Sequence, residues 1–120
     1  MLIGIDHVQI TIPKNEENKA KSFYCELLGL KEIAKPENRR NNGGFWLQLG
    51  KVQLHVGTEN GVDRNLTKAH VAYLVDDLEK WRNILSQDNV EVKDSAPFPS
   101  AKAFEFRDPF GNRLELIQQL

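Results

Sequence analysis

An internal repeat constrains the fold most strongly, because the same order of strand and helix signals occurs twice in 120 residues. The first copy opens with a strand pattern at residues 5–12 that contains His7, and the second opens with one at residues 69–75 that contains His70. A helix and three strand-sized segments follow in each copy. The chain is therefore predicted to be a single α+β domain of two βαβββ modules in tandem, which comprise residues 1–57 and 69–120 around a connector at residues 58–68.

Local signals define the elements of the first module. Apolar and polar residues alternate over residues 5–12, as in a strand with two unlike faces. Asn15 is the predicted N-cap of a helix that Gly29 ends in a left-handed conformation. The polar stretch at residues 36–44 is predicted to be a loop. Further strands are predicted at residues 30–34, 45–49 and 52–56, the last two joined by a tight turn at Gly50-Lys51.

The second module repeats this order. Asp76 or Asp77 is the predicted N-cap of a helix whose apolar residues recur at helical spacing, and Asn89 is its predicted left-handed end. A turn at Asp108-Pro109-Phe110-Gly111 is predicted to join the last two strands. The three strands after the helix are predicted at residues 90–92, 101–107 and 112–118.

Four potential metal ligands fall at corresponding places in the two modules. His7 and His70 lie on the first strands, 63 positions apart, and His55 and Glu115 lie on the last strands, 60 positions apart. Their strand neighbours are apolar, so the four side chains are predicted to share the opposite, polar face of the sheets. Imidazole and carboxylate groups suit first-row divalent ions. We therefore predict a metal site of His7, His55, His70 and Glu115 for Zn, Ni, Fe, Mn or Co.

Each of these residues also has a structural interpretation. A single strand histidine is more often hydrogen-bonded than metal-bound, but all three histidines of this chain fall at such positions. Glu115 could instead be an exposed carboxylate opposite Arg107 or Lys102. Gln53 competes with His55 as the fourth ligand, because it lies on the same strand face two residues earlier.

Charge and composition exclude several partners. The net charge is −1, from 16 basic and 17 acidic residues that are interspersed along the chain, so no long-range field favours nucleic acid or a lipid surface. The apolar runs are strand-sized, and the N-terminal residues do not resemble a secretion signal. The single Cys25 agrees with a reducing compartment. We therefore expect a cytoplasmic protein without nucleic-acid or membrane partners.

Several motifs, which together cover essentially the whole chain, resemble the vicinal oxygen chelate superfamily. They are Ile5-Asp6-His7-Val8, Phe23-Tyr24 with Leu28-Gly29-Leu30, Ala69-His70-Val71 and, most specifically, residues 108–116. The resemblance implies eight strands that form an open cup around a metal ion, completed in a homodimer, with ligands at His7, His55, His70 and Glu115. It also implies a glyoxalase-like lyase or isomerase, with Glu115 as the base, whose small substrate chelates the ion through vicinal oxygens.

Within this superfamily the sequence leaves alternatives open. The chain differs from glyoxalase I in two respects. His55 stands where that enzyme typically has a carboxylate. Of the basic residues, only Arg39 and Arg40 suggest a site for the carboxylates of glutathione. An Fe(II) extradiol-type dioxygenase would use His7, His70 and Glu115. A fosfomycin-type transferase would use the same three ligands, but its anion pocket is not recognisable. A metal-free, bleomycin-type binder would instead use a groove of aromatic residues. The candidate groove residues are Phe45, Trp46, Phe98 and Phe104, and the candidate substrate contacts are Gln9, Trp46, Gln53 and Arg113.

Overall fold

The computed structural model describes residues 1–97 and 99–120, and divides them into two units, Met1–Val62 and Asp63–Leu120. In unit 1 the strands form one four-stranded sheet in the order β1-β4-β3-β2. β1 is parallel to β4, and the other neighbours are antiparallel. The elements of unit 1 are β1 (His7–Ile12), α1 (Glu17–Lys21) with a π-helical continuation (Ser22–Leu27), β2 (Lys31–Ile33), a 3₁₀ helix (Glu37–Asn42), β3 (Phe45–Leu49) and β4 (Val52–Thr58).

Unit 2 repeats this topology with the sheet order β5-β8-β7-β6. β5 is parallel to β8, and the other neighbours are antiparallel. The predicted α+β fold of two βαβββ modules is therefore confirmed. The elements of unit 2 are a 3₁₀ helix (Arg64–Leu66), β5 (His70–Leu74), α2 (Leu78–Gln87), β6 (Lys93–Asp94), β7 (Ala101–Arg107) and β8 (Arg113–Gln119).

Each sheet buries one apolar face, as the strand alternation predicts. Lys21 of α1 lies over the Phe45 ring, and Arg82 of α2 lies over the Phe104 ring. Phe45 and Phe104 belong to these buried sets, at 2% and 0% exposure, so their proposed place in an open aromatic groove is wrong. Phe98, another candidate for that groove, lies outside the described residues. The most deeply buried side chains include Ile12, Tyr24, Leu47 and Val56 in unit 1, and Leu78, Leu85, Phe104 and Leu114 in unit 2.

Most predicted helix ends and turns are confirmed. Gly29 has φ +78° after the π-helical turn, and its amide donates to the Cys25 carbonyl. Asp77 caps α2 by accepting a hydrogen bond from the Lys80 amide, and Asn89 has φ +59° beyond the other end. Gly50 has φ +58° in the turn between β3 and β4. The local chemistry of these residues was therefore sufficient to place them.

Three local predictions are wrong. The polar stretch at residues 36–44, predicted to be a loop, contains the 3₁₀ helix Glu37–Asn42. Asn15 does not cap α1; it has φ +69° in the preceding turn, and Glu16 is the N-cap. The strand predicted at residues 90–92 lies instead at Lys93–Asp94. The reason is that the Val90 amide still donates to the Leu85 carbonyl and closes the end of α2, so extended pairing begins later.

No helix within the described residues is both long and apolar enough to cross a membrane.

Candidate metal centre and ligand pocket

Strand register places His55 and Glu115 at equivalent positions of the two sheets. Gln9 pairs with His55 in the first sheet, and Ala72 pairs with Glu115 in the second. Gln9 and Ala72 each follow the first histidine of their strand by two residues. The register therefore supports the sequence alignment of His55, rather than Gln53, with Glu115.

In unit 1 the polar sheet face carries a stack of three rings. The His55 ring lies between His7, at a centroid distance of 4.1 Å, and Trp46, at 3.8 Å and an interplanar angle of 2°. His55 Nε2 lies 2.9 Å from Gln53 Oε1. Because this carbonyl oxygen only accepts, His55 donates through Nε2 and keeps its lone pair on Nδ1.

His7 has the opposite tautomer. Its Nδ1 lies 2.8 Å from Asp6 Oδ2, and since the carboxylate accepts, the lone pair is on Nε2. A carboxylate behind a histidine is the arrangement that orients many metal-bound imidazoles. The lone pairs of His7 and His55 lie in the planes of two stacked rings, so binding one ion through both would require a ring to rotate.

The electrostatic surroundings keep His55 neutral. Burial lowers the pKa of His55, as do His7 and the positive charges of Arg39 and Lys35, while Asp6 acts in the opposite direction. His55 is only 6% exposed, so water does little to stabilise the charged form of its ring. At neutral pH the ring therefore offers a lone pair and not a positive charge.

In unit 2 the equivalent face carries a pair of potential ligands. His70 Nδ1 lies 2.9 Å from the Lys68 carbonyl oxygen, which places the proton on Nδ1 and the lone pair on Nε2. Nε2 lies 3.6 Å from Glu115 Oε1, too far for a hydrogen bond. Glu115 Oε2 accepts a hydrogen bond of 3.0 Å from Ser95 Oγ. The imidazole nitrogen and the carboxylate oxygen that remain available are thus neighbours on one sheet face.

The structural interpretation of Glu115 is wrong. Its side chain is only 12% exposed, and its partner across the strands is Glu105, not Arg107 or Lys102. Glu105 forms an ion pair with Arg113, whose Nε is buried without a hydrogen-bond partner among the described residues. Glu115 is therefore a largely shielded carboxylate, and among the described residues its ion-pair contact is to His70 and not to Arg113.

The same strand positions carry different chemistry in the two units. Trp46 and Glu105 are equivalent, since each pairs with the candidate ligand on the last strand. Gln53 and Arg113 are equivalent in the same way, since each pairs with the first histidine. At these two positions unit 1 therefore carries a neutral amide and an aromatic ring, whereas unit 2 carries an ion pair.

The candidate donor groups lie in pairs, one pair in each unit. Within residues 1–97 and 99–120, no group of three or more His, Cys, Asp or Glu side chains is arranged to hold a metal ion. The candidate ligands occur as His7 with His55 in unit 1 and as His70 with Glu115 in unit 2. Neutral imidazole and shielded carboxylate are the donor types that first-row ions prefer.

Unit 1 also contains a pocket of about 690 Å³ on this polar face. It takes in three of the four predicted substrate contacts, Gln9, Trp46 and Gln53, whereas Arg113 lies in unit 2 and is ion-paired. Sequence reasoning missed Asp6, Lys35 and Ser95. The Asp6-His7 dipeptide was a usable signal for the first, but no periodicity marks the loop residues Lys35 and Ser95.

Comparison with known proteins agrees with the fold. A model of the Glyoxalase/Bleomycin resistance protein/Dioxygenase superfamily matches residues 4–116. The chain belongs to this superfamily. A search of the curated proteins finds no match.

Among solved structures, this superfamily member is similar to a glyoxalase family protein from Bacillus anthracis. The two are 35% identical, with a TM-score of 0.92 over 100% of this chain and 98% of that chain. A variant of the fosfomycin resistance protein FosX from Listeria monocytogenes, complexed with Mn(II) and 1S,2S-dihydroxypropylphosphonic acid, has 14% identity and a TM-score of 0.83, over 100% and 95% of the chains. Lactoylglutathione lyase from Agrobacterium tumefaciens has 17% identity and a TM-score of 0.73, over 96% and 92%.

Proposed function

We propose that this superfamily member is a glyoxalase-like, divalent-metal-dependent lyase or isomerase whose small oxygenated substrate chelates the ion through two adjacent oxygens. The observation that carries the proposal is the His70–Glu115 pair. Its donor atoms are 3.6 Å apart, and His70 is oriented by the Lys68 carbonyl and Glu115 by Ser95. Such supporting hydrogen bonds are typical of metal ligands.

The proposed ligands are His7, His55, His70 and Glu115. His7 supports the proposal through its hydrogen bond to Asp6, which leaves Nε2 as the donor to the ion. Zn, Ni, Fe, Mn and Co all suit this donor set. The Mn(II) complex belongs to FosX, and its relevance here is that the two chains share a fold.

When bound, the ion would act as a Lewis acid towards a chelated carbonyl and so favour proton loss at the neighbouring carbon. We propose that Glu115 accepts that proton. Its low exposure limits its solvation, and the hydrogen bond from Ser95 holds Oε2 so that Oε1 is the oxygen left to act. Gln9, Gln53 and Trp46 would contact the substrate from the unit 1 pocket, and Arg113 would contribute from beside His70. We also propose that the protein acts as a homodimer in the cytoplasm.

A second candidate function is an Fe(II) extradiol-type dioxygenase. The observation in its favour is that His55 donates to Gln53 and has both ring faces covered by His7 and Trp46. If His55 keeps these contacts, the remaining ligands are His7, His70 and Glu115, which form a set of two histidines and one carboxylate.

Metal analysis of protein purified without a His tag tests the proposal. We expect one equivalent of a divalent ion per chain, either as purified or after titration of the chelator-treated protein. Less than about a tenth of an equivalent, with no uptake on titration, would overturn both metal-dependent functions. With metal bound, methylglyoxal plus a thiol tests the glyoxalase branch, and oxygen consumption with catechols tests the dioxygenase branch.

A matched pair of variants tests the fourth ligand. If His55 binds the ion, His55→Ala should weaken metal binding about tenfold or more, whereas Gln53→Ala should weaken it less, because it removes only a hydrogen bond to His55. Isothermal titration calorimetry with Zn²⁺ measures both. Equal affinities for His55→Ala and the unmodified chain would assign the site to His7, His70 and Glu115 alone.

A further inference from the structure

The pocket of unit 1 combines flat rings with the guanidinium of Arg39, whose side chain has no hydrogen-bond or ion-pair partner among the described residues. Its volume of about 690 Å³ lies within the usual range for small-molecule sites. The sheet contributes His7, Trp46 and His55, and the segment between β2 and β3 contributes Lys35 and Arg39. These two groups of residues differ in chemistry, and each restricts what the pocket can bind.

The charged groups of the pocket differ in whether their side chains have hydrogen-bond partners. Asp6 accepts from His7, and Glu59 accepts from Thr11 Oγ1 at 2.9 Å, so both carboxylates have partners. Lys35 Nζ donates to the Gly43 carbonyl at 2.7 Å. Arg39 has no side-chain hydrogen bond or ion pair to any residue that the structure describes. The pocket therefore presents one guanidinium whose charge-assisted hydrogen bonds are unused.

The backbone around Arg39 is held in place. The Arg39 amide donates to the Pro36 carbonyl at 2.9 Å, and Arg40 Nε donates to the Lys35 carbonyl at 3.1 Å. Gly44, which follows this segment, donates its amide to Glu17 Oε2. Arg39 lines the same pocket as His7, Trp46 and His55. The guanidinium and the rings therefore face one ligand-sized space.

We propose that this pocket binds a carboxylate on a flat, unsaturated body, and that Arg39 is the residue that recognises the carboxylate. A guanidinium pairs with a carboxylate through two parallel hydrogen bonds. A planar body suits a site lined by the His7 imidazole and the Trp46 indole, the two outer rings of the stack. The inference rests on the proposed function, because it names the class of small molecule on which the chain would act.

The two tryptophans of the chain allow a direct test. Trp81 lies on α2 in unit 2, so Trp81→Phe leaves Trp46 as the only tryptophan reporter. In this background, with chelator present, benzoate is titrated against its neutral analogue benzamide while Trp46 fluorescence is recorded. Benzoate should bind about tenfold more tightly than benzamide. Saturation-transfer NMR on the unaltered chain gives the same comparison if Trp81→Phe lowers stability.

Arg39→Gln should remove the preference for benzoate, whereas Lys51→Gln should retain it. Lys51→Gln is the matched control, because it removes the same charge from unit 1 at a residue that does not line the pocket. Equal binding of benzoate and benzamide, or a benzoate preference that survives Arg39→Gln, would overturn the inference. Because the chelator removes metal, this result does not depend on whether the metal proposal holds.

Discussion

Glu115→Gln is expected to weaken Zn²⁺ binding by at least about 100-fold, because it replaces an anionic ligand with a neutral amide of the same shape. The amide oxygen can still accept from Ser95 Oγ, and the side chain stays in its shielded place on β8. The fold should therefore persist while the charge is lost. Calorimetric titration of the chelator-treated proteins measures the change, and thermal unfolding checks the fold.

Two further variants make this result specific. Glu91→Gln removes a carboxylate from an exposed site of unit 2 and should leave Zn²⁺ binding unchanged. Ser95→Ala keeps the Glu115 carboxylate but removes its supporting hydrogen bond, and should weaken binding about tenfold. If Glu115→Gln and Glu91→Gln bind Zn²⁺ equally well, Glu115 is not a ligand.

Gly44→Ala is expected to lower the free energy of unfolding by about 3 kcal/mol or more. Gly44 has φ +78°, which already disfavours a side chain. An added Cβ would also lie 2.0 Å from the Val56 carbonyl oxygen, which belongs to the backbone of β4. The start of β3 would have to move away from β4, and this movement would break hydrogen bonds between the two strands.

Gly50→Ala provides the matched control. Gly50 also has a positive φ, +58°, but no atom lies within 4 Å of an added Cβ. This variant should therefore lose only about 1 kcal/mol, which is the cost of the left-handed conformation. Urea unfolding of both variants measures the difference. Similar losses in the two proteins would show that the contact with Val56 does not restrict this segment.

The sequence predicted the architecture well because its strongest signals are local and occur twice. Strand alternation around His7 and His70 identified the polar faces, and Gly29, Gly50 and Asn89 marked ends and turns through their own backbone preferences. The strand at residues 90–92 was misplaced because apolar, β-branched residues there looked strand-like. What decided its structure was a hydrogen bond of the Val90 amide to the end of α2, which composition does not reveal.

The sequence predicted only part of the candidate site. Alternation says which face a residue occupies, but the register between distant strands decides its neighbours. The Trp46–His55 stack and the Glu105–Arg113 pair both depend on that register. Ser95 lies in a loop, where no period links residues to a site. Sequence therefore predicted the candidate ligands, whereas the groups that orient them required the folded chain.

The matched register of the two sheets makes the charge of the proposed centre adjustable without remodelling the backbone. His55 and Glu115 occupy equivalent register positions in the two sheets. His55→Glu would therefore place a second carboxylate on a strand whose counterpart in unit 2 already carries one. Trp46 would lose its stacking partner, and the net charge of the four donors would fall by one. A duplicated module can thus change its chemistry at one strand position at a time while its hydrogen-bonded framework stays constant.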